Sequence, residues 1–507
     1  MKTYKYLFLL IGLSMVGCSD LEEDPQGLLA PESFFSSTTD IQTAVNGAYG
    51  HMIDENFWGR KLPTTLMLRS DMVAIADPAA KVERQQHDDF TVLTDNLMID
   101  TYWPRSYQII GAANQAIAGA ELVDVADDVK NPITAQAYFV RAFMYFHLVR
   151  QFGAIPYLNA PVTDVQESKV ISSTPADEVY ANIIADLEFA KAWLPDTQVA
   201  RSLPAKSAAS SYLSLVYLTM GEWQKAYDEA KEVIDNKGIY DLELDPDYQS
   251  LFDATKIDAS KEPIFVLDFN NFRDGNAGND QLGPMSGLRG DEQYGNGGGW
   301  SIMAPALGVY TSWDAGDYRR AVSLDDTAVF DGELTSYPDF ISASKDDRNV
   351  NQPYIAKYTR FPGEFANGNG RATSYNYSMM RYAEVLLIAA EAAVELGDNA
   401  SATTYINEVR ARARSGGSWK NTGASAVPAD ITGTVTVNDV LEERRLELSF
   451  EGIRWYDIAR RKLGNEVFGA SGFEGAKPGF DPVQDYLLPI PADEIIRNPN
   501  LTQNPGY

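Results

Sequence analysis

The chain has 507 residues, 45% hydrophobic and 11% aromatic, with 71 acidic against 42 basic side chains and a net charge of −29. A field of that sign disfavours nucleic acid and anionic membrane surfaces, and it weakens polyanion binding unless local arginines override it. The single cysteine, Cys18, excludes an internal disulfide, so the fold must rest on an ordinary apolar core.

Lys2 and Lys5 precede a run of ten mostly apolar residues, Leu7 to Val16. As a helix that run rises about 15 Å, half of what a spanning helix must cross, so it predicts a secretory signal and not a membrane span. Cys18 follows Met15-Val16-Gly17 directly, an arrangement that resembles a bacterial lipobox. On this reading residues 1–17 are removed and Cys18 becomes the acylated first residue, anchored stably when more than one chain is attached. Asp20, Glu22, Glu23 and Asp24 then form a solvated acidic leader, like the one behind the cysteine of surface-exposed lipoproteins. Processing removes Lys2 and Lys5 and no acid, which takes the net charge to −31.

Length alone suggests about three domains, but the pattern along the chain is of one intertwined unit. Residues 131 to 235 read as helices. Thr174 is the expected N-cap of one, with Pro175 at the first helical position and Asp177 three residues after the cap. Val179, Ile183, Leu187 and Ala190 make its buried stripe, and Pro195 ends it. "SSYLSLVYLTMGEWQKAYDEAKEVI" is then a helix, a turn at Gly221-Glu222 and a second helix. "EVLLIAAEAAVELGDNASATTYINEVRAR" repeats the arrangement about Gly397-Asp398. Shifted by 176 residues, Tyr212 falls on Ile388, Leu213 on Ala389, Ala226 on Ala402 and Val233 on Val409. These are tetratricopeptide-like helical hairpins, each of which needs stacked neighbours to bury its apolar face.

Between the hairpins lies a loop-rich insertion of about 140 residues with short strand-like pieces such as "PIFVLDF". From Asn271 to Trp300 it holds nine glycines in thirty residues, and a second polar loop, "FPGEFANGNGRATSYNYS", precedes the second hairpin. Loops this long inside a compact protein are usually functional or disordered. The helices are therefore expected to be scaffold and the loops the working surface.

Catalytic signatures are missing. The three histidines, His51, His87 and His147, are far apart, and no H-E-x-x-H, G-x-S-x-G or cysteine–histidine zinc spacing occurs. With 71 acids, sequence cannot select the carboxylate pair a glycosidase needs. No cofactor is expected. Calcium is the alternative, through Asp274, Asn276 and Asp280, although Gly278 stands where an EF-hand loop wants Asn or Asp. What remains is aromatic: Trp58 in "DENFWGRK", Tyr294 and Trp300 in the long loop, and Tyr310, Trp313 and Tyr318 beyond it. An exposed indole among Asp, Asn and Arg can cover the C–H face of a sugar ring while its neighbours bond the hydroxyls. The expected glycan-binding residues are Trp58 with Asp54 and Asn56, Asp77, Tyr294, Trp300 and Arg371.

Four blocks, "RAFMYFHLVRQFGAIPYL", "MMRYAEVLLIAAEAAVELGD", "LEERRLELSFEGIRWYDIARR" and "LPIPADEIIRNPNLTQNPGY", resemble the SusD/RagB family of outer-membrane lipoproteins in content and order. With the lipobox and "TYWPRSYQIIGAANQAI" the resemblance spans essentially the whole chain. It implies a mainly α fold of about four tetratricopeptide-like helix pairs, with a long loop-rich insertion containing short strands. The organisation it suggests is a signal peptide, 1–17, and a single SusD-like domain, 18–507. Its scaffold would run roughly over 31–240 and 376–465, the insertion over 241–375 and a C-terminal tail over 466–507. It also implies no catalysis: a surface lipoprotein that captures an oligosaccharide and closes as a lid over a SusC-like TonB-dependent transporter. The net charge favours a neutral glycan, with Arg84, Arg289 or Arg371 as the local override for a polyanion. Glu442, Glu443, Arg444, Arg445, Glu447 and Glu451 alternate in sign and suit pairing within the scaffold.

The rivals are a peptide-binding member of the same family, a glycoside hydrolase lipoprotein and a helical-repeat adaptor. The lipobox argues against a cytosolic adaptor, the missing signatures argue against the hydrolase, and the loop tryptophans favour glycan over peptide. Replacement of the thiol tests the anchor: the Cys18→Ala protein should lose lipid labelling and leave the outer-membrane fraction. Retention there with lipid still attached would refute the lipobox.

Overall fold

The computed structural model describes residues 31–507 except 165, 167–168, 271–273, 295–297, 368–370, 418 and 420–424. Cys18 and the acidic leader lie outside the described residues. Eight helices form the scaffold: α1 Thr38–Met52, α2 Leu97–Leu122, α3 Asp127–Phe152, α4 Ala176–Trp193, α5 Lys206–Met220, α6 Trp223–Asp235, α7 Tyr382–Glu395 and α8 Asn399–Ala413. Each packs against the next, from α1 on α2 through to α7 on α8, so the scaffold is four helix pairs in a continuous stack. The stack is unbroken at α6 and α7 although the whole insertion separates them in sequence.

Both repeated hairpins form as the periodicity predicts. Gly221 and Gly397 each take φ +77°, a conformation that glycine adopts without a Cβ clash. Asp398 then caps α8 by accepting from the Ser401 N–H at 3.1 Å. The buried residues of α6 are Ala226, Ala230 and Val233, and α8 buries Ala402, Ile406 and Val409 at the same positions 176 residues on. Entry to α4 differs by one residue from expectation. Its N-cap is Pro175, because the Thr174 backbone is engaged with Ile155 in an antiparallel bridge, at 2.8 and 3.2 Å.

Two further helices, α9 Val437–Glu447 and α10 Arg454–Arg461, close the end of the stack. α9 lies against α7 and α8, and α10 lies against α9 and the short helix Lys61–Leu68. The alternating charges of α9 enter a buried ion network. Glu447 is bonded by Arg381 at 2.5 Å, Arg319 at 3.0 Å and Arg412. Arg381 also reaches Glu262 at 2.7 Å and Glu451 at 2.9 Å, where Lys357 joins at 2.8 Å. Arg319 continues to Glu443 at 2.6 Å and Asp317 at 2.8 Å, and Arg410 meets Glu443 from the half-buried edge. A second network joins Arg444 to Glu384 and Asp457, and Arg460 to Asp457 and Glu391.

Burial opposes ionisation of Glu447, Glu451, Asp457 and Glu391, but the neighbouring cations outweigh it, whereas at Glu384 burial wins and pushes the carboxyl up. Glu447 is held well below the ordinary carboxylate range by Arg412, Arg381 and Arg319, and Asp457 is held down at about 2 by Arg444 and Arg460. Removing one partner of such a set strands a buried charge, at a typical cost of about 3–5 kcal/mol. Arg381→Met should therefore lower stability by at least that much in a denaturant melt. Carboxylates with depressed folded pKa values stabilise fully above their unfolded values and lose that contribution as pH falls. The thermal midpoint should thus hold steady down to about pH 5 and drop between about pH 4 and 2. Trp455, 2% exposed beneath the Arg69 guanidinium at 4.5 Å, should cost about 3–5 kcal/mol on truncation to Ala.

Candidate functional site

The insertion is pinned to the front of the scaffold by a two-stranded ladder. Val73–Ile75 pairs antiparallel with Met303–Pro305, Ile75 facing Met303, and the Ala76 N–H donates to the Ile302 carbonyl at 2.9 Å. That register brings Asp77 level with Ser301, the residue after Trp300. Asp77 is fully buried and receives Arg348 Nε at 3.0 Å and Arg289 Nη2 at 3.2 Å. Burial pushes its carboxyl up, yet the hydrogen bonds from Arg348 and Ala79 win and hold it below its ordinary value. Arg289 also donates its backbone N–H to Ser301 Oγ at 3.0 Å and Asn349 Oδ1 at 2.9 Å, which joins the 287–301 loop to the segment carrying Arg348. Trp300 is half-buried, and its backbone N–H donates to the Pro284 carbonyl at 2.6 Å.

The same loop carries a second aromatic group. Tyr294 donates its hydroxyl to Asp325, which also pairs with Arg360 at 3.1 Å. The Arg360 guanidinium lies over the Trp419 ring at 4.5 Å, Tyr294 tilts against that ring at 6.0 Å, and Phe361 meets it edge-on at 5.6 Å. Tyr294, Trp419 and Phe361 are all half-buried. Burial and the Asp325 charge push the Tyr294 hydroxyl well above its usual pKa, so it stays a donor. A third group repeats the pattern: Arg320 over Tyr310 at 4.0 Å, with Tyr310 donating to Asp326 at 2.8 Å. Half-exposed rings held by arginine, with carboxylates and amides alongside, are equipped to stack on a sugar face and bond its hydroxyls.

Of the residues expected from sequence, Asp77 holds Arg289 of the 287–301 loop, the loop that also carries Tyr294 and Trp300. Trp58 is a correction. It is 5% exposed, tilted against Phe57 and His147, because the helix-and-loop surroundings cover the segment that the sequence presents as an open loop. A ring so enclosed offers no face to a ligand. Asp54 is also buried, bonded to Arg105 at 3.1 Å and to the Asn56 N–H at 2.7 Å, while Asn56 is half-buried. Their loop docks on residues 276–281 through the Glu55 N–H to Asn276 and the Gly278 N–H to Ile53, both 2.9 Å. Trp313 and Tyr318 are core residues as well. The Arg371 side chain lies outside the described residues. Asp280 is turned inward, accepting from Thr373 and Tyr377 at 2.7 Å each, and among the described residues no group of three or more His, Cys, Asp or Glu gathers to hold a metal.

Sequence reasoning missed Arg348, Arg360 and Trp419. Trp419 carried a usable signal, since "SGGSWKNTG" is the same aromatic-in-glycine setting as Trp300. The arginines carried none, because nothing local separates them from the rest of the basic side chains.

Comparison with known proteins decides the family. Residues 341–507 match the SusD family, and residues 20–218 match a family described as "Starch-binding associating with outer membrane". A SusD-like protein of Formosa agariphila is 50% identical over the whole of both chains. The chain belongs to the SusD family. As a SusD-like protein it is a carbohydrate-binding protein associated with the outer membrane, and not an enzyme. Its fold is shared with solved structures of low identity. A SusD homolog from Bacteroides thetaiotaomicron superposes with a TM-score of 0.79 at 20% identity, covering 94% of this chain and 98% of its own. A structure described as a laminarin-binding SusD-like protein gives 0.77 at 23% identity, covering 93% and 100%. Among the described residues no helix of this SusD-like chain is long and apolar enough to cross a membrane.

Because Trp58 is core, Trp58→Ala should behave like a cavity mutant and lower stability by about 3–5 kcal/mol. A thermal melt with the parent as control checks this; an unchanged midpoint would return Trp58 to the surface.

Proposed function

We propose that this SusD-like protein captures an oligosaccharide along the 287–301 loop, between Trp300 and Trp419, and hands it to a SusC-like TonB-dependent transporter. The lipid on Cys18 holds it at the outer membrane, facing outward. The observation that carries the reading is the pairing of half-exposed indoles with fixed polar partners: Trp300 beside the Arg289–Asp77–Arg348 set, and Trp419 beneath Arg360. Family membership supports it, as does the laminarin-binding relative of the same fold. Arg289 and Arg348 share the Asp77 carboxylate, and Asp346 and Asp347 also act on Arg348, so charges of both signs meet at this rim. Salt therefore reads the ligand class. Binding of a neutral glycan should be flat with ionic strength, and binding of a charged one steep.

Affinity electrophoresis against laminarin and a panel of neutral and anionic polysaccharides selects the ligand, and calorimetric titration then measures it. An oligosaccharide bound at micromolar to millimolar strength has only about 4–8 kcal/mol in total. A central stacking ring carries about 2 kcal/mol or more of that. Trp300→Ala and Trp419→Ala should each weaken binding roughly thirtyfold with the melting temperature little changed. Parent-like binding by both variants would move the site off this loop.

A further inference from the structure

Trp58 is a core residue, but core packing does not account for its polar edge. Among the described residues its indole N–H has no hydrogen-bond partner, although the side chain is only 5% exposed. The ring is held on several sides. It tilts against Phe57 and His147, and its Cη2 lies 3.4 Å from where a Cβ on Gly452 would stand. A buried donor left unbonded costs the folded state the full desolvation of that group. Native proteins offset such a cost with a protein acceptor or with an ordered water.

Two small cavities, of about 20 Å³ and 10 Å³, supply the space, and Trp58, Ser378 and Glu451 line both. The larger is big enough for one water and the smaller is at the limit. Around the larger, Leu66, Leu215 and Met379 are apolar, and the Tyr456 hydroxyl is bonded to His147 at 2.9 Å. Ser378 offers a second unbonded group. The ladder joining Asn376–Arg381 to Pro263–Asp268 shifts register between Ser378 and Met380, a bulge of the kind that re-aims a side chain. The Ser378 hydroxyl is shielded from solvent and has no protein partner among the described residues. Glu451 offers the acceptor. Its Oε1 takes Lys357 at 2.8 Å and Arg381 at 3.0 Å, whereas its Oε2 takes Arg381 alone, at 2.9 Å, among the described residues. A carboxylate has about four lone-pair positions, so one remains on Oε2.

We propose that these cavities form a binding site for ordered water, held by the Trp58 indole N–H, the Ser378 hydroxyl and the Glu451 carboxylate. A water there accepts from Trp58, donates to Glu451 Oε2 and takes either role towards Ser378, so one molecule satisfies three groups. Through it the segment at Trp58 and the strand Asn376–Arg381 join the ion network at its Glu451 end. The indole thus donates to bound water while its faces serve core packing. This inference does not depend on the glycan reading.

A crystal structure of the parent chain tests the site directly. An ordered water should lie within about 2.7–3.2 Å of both Trp58 Nε1 and Glu451 Oε2. A direct bond from Nε1 to a protein oxygen, or no water joining these two atoms, would overturn the proposal. Nuclear magnetic resonance on the full chain, isotopically labelled at its tryptophan indoles, gives an independent reading. Trp58→Phe identifies the Trp58 indole signal by its loss. In the parent that signal should show a rotating-frame Overhauser contact to water, whose sign separates a bound molecule from hydrogen exchange. Ser378→Ala should keep the contact, because two partners remain, whereas Ser378→Val should fill the space and lose it. Thermal melts confirm that each variant folds. Absence of the contact in the parent, its loss in Ser378→Ala, or its persistence in folded Ser378→Val would each overturn the bound water.

Discussion

The buried ion network around Glu447 is the constraint on which the rest of the molecule depends. Arg319, Arg381, Arg412, Lys357 and Arg410 meet Asp317, Glu262, Glu443, Glu447 and Glu451, five cations against five carboxylates. Transfer of so many charges out of water is tolerated only when each finds partners, because desolvation can exceed the Coulombic gain of a single pair. The stoichiometry closes, so no member is left to solvate alone. More important is where the members come from. Glu443 and Glu447 belong to α9, Arg412 to α8, Arg381 to the strand leading into α7, and Glu262, Asp317, Arg319 and Lys357 to the insertion. A hydrophobic core would hold these pieces together but tolerate sliding; fixed donor–acceptor geometry specifies one register between scaffold and insertion.

That register reaches the surface through neighbouring residues in the chain. Lys357 is anchored on Glu451, and three residues later Arg360 lies over Trp419. Arg319 is wholly inside the network, and the next residue, Arg320, lies over Tyr310. In each case a short stretch has one cation buried in the ion cluster and another supporting an aromatic ring at the working face. Loops with little regular structure thereby present rings in defined positions, a requirement of any site that binds by stacking. Asp77 does the same for the Trp300 rim, clamping Arg289 and Arg348 from beneath.

The helical half was legible because its information is local. Periodic apolar positions, a Gly-acid turn and a 176-residue echo survive in one dimension, and α5 to α8 form where they indicate. The alternating charges of α9 and Glu451 were legible as scaffold pairing, but their partners at 319, 357 and 381 were not, since the contacts span up to 128 residues of chain. Trp58 and Trp300 show why site residues are harder. Both sit among Gly, Asn and charged neighbours. One is covered by packing from α3 and its surroundings and the other is half open, and local composition is the same for a covered loop and an open one.

The same physical pairing, an arginine over an aromatic face, recurs through the molecule, and three cases have different consequences. Arg69 over Trp455 is sealed, at 4.5 Å with both side chains buried, so its worth is spent on holding α10 against the Lys61–Leu68 helix. Arg360 over Trp419 has the same 4.5 Å separation, but the indole is half exposed. Arg320 over Tyr310 is the third, with a half-buried ring. A cation on one face stops the ring from turning and leaves the remaining surface for a ligand, so less freedom is lost when a sugar arrives. Exposure, not the contact itself, separates the sealed pair from the two whose rings stay partly open. In this chain exposure is set by which loops the Glu447 network brings into register.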